Sequence, residues 1–205
     1  QYNIKRQQQR IRIFETGLVF NNKEDLKQES HIAGLITGNI NEKEWGKESI
    51  LTDFYDMKCD VETLLSSLVG ARDTEMLPSA TKILHPRQAV DLLVEGDSAG
   101  YFGRLHPKIC AELNIPENIY IFEIVINKIL KKKKISFKKI SKYPSVKRDI
   151  SIIISEEIRF EDVMKCAENY GTNLLLNVAL FDVYQGEGIE KGKKSLALRL
   201  TFQAT

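Results

Sequence analysis

Ser141-Lys-Tyr-Pro-Ser-Val-Lys-Arg-Asp-Ile-Ser151 and, further along, Leu180-Phe-Asp-Val-Tyr-Gln-Gly-Glu-Gly-Ile-Glu-Lys-Gly-Lys-Lys-Ser-Leu-Ala197 are the two stretches whose reading decides the fold. The first is an extended lead that passes through Pro144 into a β-prone run, Asp149 to Ile154. The second joins an apolar strand, Leu175 to Tyr184, to another at Lys194 to Gln203 through a glycine-rich turn. Between the two, Phe160 to Tyr170 has helical spacing. Strand, helix, strand, strand is the order of a split β-α-β unit. A complete unit of that kind has a further helix and a fourth strand, and the sequence stops at Thr205 before either, so the expectation is a unit lacking its last helix and strand.

Upstream of that unit the pattern is different. Arg10 to Phe20 alternates, with Ile11 and Ile13 on one face, and reads as a half-buried strand. His31 to Ile40 repeats the character, Gly34 and Gly38 pointing to a close backbone approach or a bulge, and the polar run Asn21 to Asp25 connects the two. Met57, Val61, Leu64, Leu65 and Leu68 recur at steps of three and four, so Asp53 to Leu68 is a helix with one apolar face, and Gly70 stops it. From Ala71 to Gln88 the period is lost; Pro78 and Pro86 argue for an exposed loop ending in a short strand. Ala89 to Val94 and Ala99 to Leu105 form a hairpin turning at Gly96, Pro107 opens a helix, and Ile119 to Ile126 closes the unit as a strand. The class is α+β, mostly antiparallel.

Lys131 to Lys134 marks the boundary, because a block of like charges repels itself and solvates well. The division expected is residues 1–130, a basic linker at 131–137, and 138–205.

Composition narrows the function. A chain of 205 residues with 42% hydrophobic content can build a real core, and 30 basic against 28 acidic residues leave a net charge of +2, so any nucleic-acid contact has to be local. Cys59, Cys110 and Cys166 are too far apart for a metal motif and odd in number for a disulfide framework, which fits a reducing cytoplasm. No run has the length of a membrane span, and the start, Gln1-Tyr-Asn-Ile, has neither an initiator Met nor a signal-peptide core. The chain reads as an excised piece of a longer protein.

The residues that carry chemistry lie in the second unit. Lys142, Tyr143, Lys147 and Arg148 combine an aromatic plane with cations, a mixture that suits single-stranded RNA, although a solvated strand entry has the same composition. The turn Gln185 to Gly192 lies between two strands and lacks the helix N-terminus of a phosphate cradle; with Lys191, Lys193 and Lys194 it reads as a basic finger for a phosphate backbone. Asp182, placed by period two on the face of Leu180 and Tyr184, can accept hydrogen bonds from the Watson–Crick edge of guanine, or form an ion pair with Arg199. Ser195 can read a base edge or stay in water. His31, His85 and His106 are scattered, both His-Pro pairs read as turn or helix entries, and Asp53, Asp56 and Asp60 suit a helix dipole better than a metal.

These blocks, in this order, resemble the ferredoxin-like anticodon-binding module of the bacterial phenylalanyl-tRNA synthetase β-subunit family. Arg10-Ile-Arg-Ile-Phe-Glu-Thr-Gly17, Gly103-Arg-Leu-His-Pro107 and Tyr120-Ile-Phe-Glu123 resemble the same family's non-catalytic relative of the class II synthetase core, incomplete at its start. The resemblance implies that Asp182 and Ser195 face the first anticodon base, guanine, with Lys142, Tyr143, Lys147, Arg148, Tyr184, Lys193 and Lys194 supplying the remaining RNA contacts. It implies no catalytic residue and no cofactor here, since Gly100-Tyr-Phe-Gly-Arg104 is a poor substitute for the ATP-binding arginine strand. ATP and Mg²⁺ would belong to the whole enzyme, through a catalytic α subunit in an α2β2 heterotetramer, with the anticodon stem-loop of tRNA(Phe) as the other partner. The alternative is a protein-interaction scaffold that binds no RNA.

Overall fold

The computed structural model describes residues 1–21, 27–42, 44–68, 74–130 and 140–204. The chain divides into two compact units, Gln1–Ile135 and Ser136–Thr205. Expectations for residues 22–26, for Gly70 and for the 131–137 linker lie outside the described residues.

In the first unit the elements run α1 (Tyr2–Lys5), β1 (Arg10–Asn21), β2 (Lys27–Gly38), α2 (Phe54–Leu68), β3 (Thr74–Pro78), β4 (Leu84–Val94), β5 (Asp97–Leu105), α3 (Pro107–Leu113), β6 (Ile119–Val125) and α4 (Ile126–Ile129). Six strands form one antiparallel sheet in the order β1-β2-β6-β5-β4-β3. Asp53 caps α2 by accepting the amide N–H groups of Tyr55 (2.7 Å) and Asp56 (3.1 Å), while Asp56 accepts that of Asp53 (2.7 Å). The acidic helix start is thus occupied with capping, and Asp60 pairs with Arg12.

Met57, Val61 and Leu65 of α2 pack on the face carrying Ile36, Phe102, Tyr120 and Ile124, a burial of roughly 1.5–3 kcal/mol for each large side chain. Glycine is required here: a Cβ on Gly34 would come within 2.3 Å of the Phe122 ring, and one on Gly38 within 2.0 Å of the Gln9 carbonyl. One end of the opposite face is covered by α1 and α3, with Cys110, Ile109, Ile115 and Ile4 against Ile119, Ile121 and Leu35. His106 caps α3, its Nδ1 accepting the Lys108 N–H at 3.1 Å, as the His-Pro entry suggested.

The expected loop over 71–88 is corrected. Thr74–Pro78 and Leu84–Val94 are strands, and both prolines sit where a strand tolerates them. Pro78 ends the edge strand β3, and Pro86 falls in the register irregularity between Leu84 and Ala89.

In the second unit β7 (Val146–Ser155), α5 (Phe160–Tyr170), β8 (Leu175–Tyr184) and β9 (Lys193–Phe202) build a three-stranded sheet in the order β7-β9-β8. β9 is antiparallel to both neighbours, so β7 and β8 run parallel, joined through α5, which is the split β-α-β arrangement. Register puts Ile150, Ile152, Val178, Leu180, Leu196, Leu198 and Leu200 on one face. Val178, Leu196 and Leu198 are buried there, and α5, half-buried at Phe160, Val163, Met164 and Ala167, packs along β8. The other face of the sheet is the exposed one.

Candidate nucleic-acid interface

Read across β7, β9 and β8, the exposed face consists of successive rows. Lys147, Thr201 and Asn177 form the first; Asp149, Arg199 and Ala179 the second; Ser151, Ala197 and Asp182 the third; Ile153, Ser195 and Tyr184 the fourth. Lys193, opposite Ser155, closes the face. Rows two residues apart along a strand are about 7 Å apart, so the face from Lys147 to Ser195 extends about 20 Å.

Asp182 is not on the face of Leu180, as period two implied. The register jumps between Leu180 and Asp182, leaving Phe181 as the extra residue of a bulge opposite Ala197. The jump reverses the alternation and turns Asp182 and Tyr184 onto the exposed face.

The ion pair weighed for Asp182 is formed by another carboxylate. Arg199 donates from Nε to Asp149 Oδ1 (2.8 Å) and from Nη2 to Asp149 Oδ2 (2.7 Å). These hydrogen bonds hold the Asp149 carboxyl below the ordinary carboxylate range and raise the Arg199 guanidinium. Among the described residues, Asp182 has neither a hydrogen bond nor an ion pair, and its side chain stands in solvent. Next to it, Ser151 Oγ and Ser195 Oγ are 3.0 Å apart, and the Tyr184 hydroxyl donates to the Glu187 carbonyl at 3.1 Å, which fixes the ring. An open acceptor, a hydroxyl pair able to donate or accept, and an immobilised aromatic plane are the groups needed to read and stack a nucleobase.

Not every expected residue joins this face. Arg148 lies opposite Leu200 and Lys194 opposite Ile154, both on the α5 side, and Lys194 Nζ donates to the Glu156 carbonyl at 2.9 Å. Consecutive residues of a strand point to opposite faces, so Lys147–Arg148 and Lys193–Lys194 each contribute one cation. Lys193 is paired with Glu190 at 2.7 Å, which also lowers the Glu190 carboxyl. Lys142 and Tyr143 precede β7 beside the far end of β9, where Ser141 Oγ donates to the Ala204 carbonyl (2.6 Å) and Gln203 Nε2 to the Tyr143 carbonyl (2.7 Å). Phe181, Asp149, Ser151 and Ile153 were not anticipated there, and Arg199 only as an ion-pair partner for Asp182. The alternation Asp149-x-Ser151-x-Ile153 was a legible signal for β7; the bulge at Phe181 had none.

The first unit holds a second polar cluster. His31 Nδ1 lies 2.8 Å from Glu123 Oε1, and the Tyr101 hydroxyl donates to Glu123 Oε2 at 2.5 Å. The Tyr101 bond and then His31 lower the Glu123 carboxyl against its partial burial, while burial pushes the Tyr101 phenol up. No Ser, Cys or Lys in these contacts offers a nucleophile, and the cluster reads as a cross-strand network on the sheet.

An antiparallel sheet backed by helices, followed by a split β-α-β unit with an open polar face, defines an α+β protein of two units. Residues 1–126 match the family described as phenylalanyl tRNA synthetase beta chain CLM domain, and residues 141–205 match the ferredoxin-fold anticodon binding domain. The phenylalanine–tRNA ligase beta subunit of Methylococcus capsulatus is 38% identical over 204 residues, covering 99% of this chain and 26% of that protein. Those of Nitrosococcus oceani and Pseudoalteromonas translucida are each 40% identical, over 206 and 207 residues, again 99% of this chain and 26% of theirs. The chain belongs to the phenylalanyl-tRNA synthetase β-chain family, one of the aminoacyl-tRNA synthetases. It spans about a quarter of the length of the relatives it matches.

Proposed function

We propose that the chain serves a phenylalanine–tRNA ligase as the portion of its β subunit that holds the anticodon stem-loop of tRNA(Phe). In this reading residues 1–130 are the non-catalytic synthetase-like core, 131–137 a linker, and 138–205 the anticodon-binding domain. The observation that carries it is Asp182: a carboxylate without a hydrogen bond or ion pair among the described residues, beside Ser195 and Tyr184, on the sheet face that α5 leaves open. Two acceptor oxygens match the two N–H donors on the Watson–Crick edge of guanine. Lys147 at one end and Lys193 at the other lie where a backbone crossing the face would bring phosphates.

The core's contribution is support. Arg104, the end of the glycine-containing strand weighed for nucleotide binding, donates from Nε to the Glu117 carbonyl (3.0 Å) and from Nη2 to Glu117 Oε2 (3.1 Å). That guanidinium is held by the segment between α3 and β6, so these residues do not fit ATP, and no step of the reaction is assigned to them. ATP, Mg²⁺ and phenylalanine belong to the α subunit in an α2β2 enzyme of the cytoplasm. The core would meet α through β1, a sheet edge with Ile13, Phe14, Leu18 and Phe20 all more than half exposed. No described helix is long and apolar enough to cross a membrane.

Titration of the chain with tRNA(Phe) and with a tRNA of different anticodon, each at two salt concentrations, tests the reading. The expectation is tighter binding of tRNA(Phe) and a log affinity that falls linearly with log salt. A scaffold that does not bind RNA would show neither.

A further inference from the structure

Beside the Asp182 row lies an arrangement that guanine recognition leaves unused. Phe181 is the bulged residue of β8, 54% exposed on a face that is otherwise polar there, and the Arg199 guanidinium lies over its ring with Cζ 5.3 Å from the centroid. Asp149 takes two of the guanidinium's in-plane donors, so rotation about the side chain is restrained and Arg199 is kept beside the ring. A planar cation has two flat sides. Phe181 lies to one side of Arg199, whose side chain retains 45% exposure.

We propose that Phe181 and Arg199 form a second stacking platform, which takes the nucleobase adjoining the guanine read by Asp182. The inference rests on the functional reading above and extends it from one base to two. Three observations carry it. First, the bulge turns Phe181 and Asp182 to the same face, so the apolar ring and the acceptor are side by side. Second, along β9 Arg199 is two residues, about 7 Å, from Ala197, the partner of Asp182, and four residues, about 13 Å, from Ser195, so the platform adjoins the Asp182 row without occupying the Ser195 end of the face. Third, bases of single-stranded RNA stack on guanidinium planes as well as on aromatic rings, and a guanidinium already neutralised in its plane by a carboxylate favours a base over a phosphate. The platform tolerates any base and selects none, because every base has a π-face.

The test uses the full chain and a synthetic RNA hairpin carrying the guanine in its loop, with 2-aminopurine at one neighbouring position or the other. Binding is expected to quench 2-aminopurine at one of the two neighbours. Phe181→Ala and Arg199→Lys should each remove that quench and weaken the hairpin roughly tenfold, while preserving the preference for guanine. Phe181→Tyr, which keeps the ring, should retain both. Since Phe181 and Arg199 are exposed, retained guanine preference in the variants also reports that the sheet is folded. Unchanged quench and affinity in Phe181→Ala overturn the platform, as does Arg199→Lys binding like the parent, which would mark Arg199 as a phosphate contact. Asp182→Ala, measured alongside, separates the two claims: if it abolishes guanine preference while Phe181→Ala does nothing, the platform alone fails; if both do nothing, the functional reading fails with it.

Discussion

Arg199 grips both carboxylate oxygens of Asp149, across the β7–β9 ladder, and so leaves Asp182 on β8 without a cation among the described residues. The relationship decides between two uses of the same carboxylate. Had Arg199 turned toward β8, Asp182 would be a structural partner. With Arg199 engaged on the other side, its acceptor oxygens are free for a ligand, and their desolvation is compensated only when donors arrive.

The cations at the two ends of the face should behave differently from Asp182 and from each other. Lys147→Ala should weaken all tRNAs about equally and lower the salt slope by about 0.7–0.9, since a phosphate contact carries no base information. Lys193 is shared with Glu190, so Lys193→Ala should change the slope less, and Glu190→Gln should tighten binding by freeing the ammonium. Fluorescence anisotropy across a salt series reads both effects.

The Glu123 network gives a pH dependence whose sign is fixed. Tyr101 first, then His31, hold the Glu123 carboxyl below its unfolded value, so the group stabilises the fold above the unfolded pKa, and that stability is lost as pH falls through the folded one. Thermal melts between about pH 6 and pH 3 should lose stability more steeply for the parent than for Glu123→Gln. Equal slopes would show that the network contributes no proton-linked stability.

Strand β1 should be adhesive when unpartnered. Its outer edge is unpaired among the described residues, and Phe14 is 74% exposed. Phe14→Asp with Phe20→Asp should abolish concentration-dependent self-association of the chain and weaken pairing with an α subunit, with the melting temperature little changed; sedimentation velocity reads the first and co-purification the second. A parent chain that stays monomeric at high concentration would argue against β1 as the contact surface.

The fold was legible wherever a single period ran unbroken. Helix α5 occupies the stretch its 3.6 period marks, Phe160–Tyr170, and strand β9, in which Leu196, Leu198 and Leu200 alternate without a break, runs over Lys193–Phe202 where Lys194 to Gln203 was expected. β3 and the start of β4 were hidden because proline signals loop unless one already knows that the strand is an edge or that the register slips. The site was half legible for the same reason. Residue types marked Asp182, Tyr184 and Ser195 as candidates, but the bulge at Phe181, made by a residue without turn propensity, reversed the alternation of β8 that placed the first two. Asp149 and Arg199 are 50 positions apart, and only the antiparallel register brings them together.

The central claim, that Asp182 reads guanine, is tested most directly by a double-mutant cycle in the assembled enzyme: parent and Asp182→Ala, each against tRNA(Phe) with guanine or adenine at the first anticodon position. The parent should favour guanine by roughly 1–3 kcal/mol, and Asp182→Ala should remove most of that difference while melting like the parent, because the carboxylate has no partner among the described residues. A guanine preference that survives intact in Asp182→Ala, or a domain that no longer folds without the carboxylate, would contradict the account.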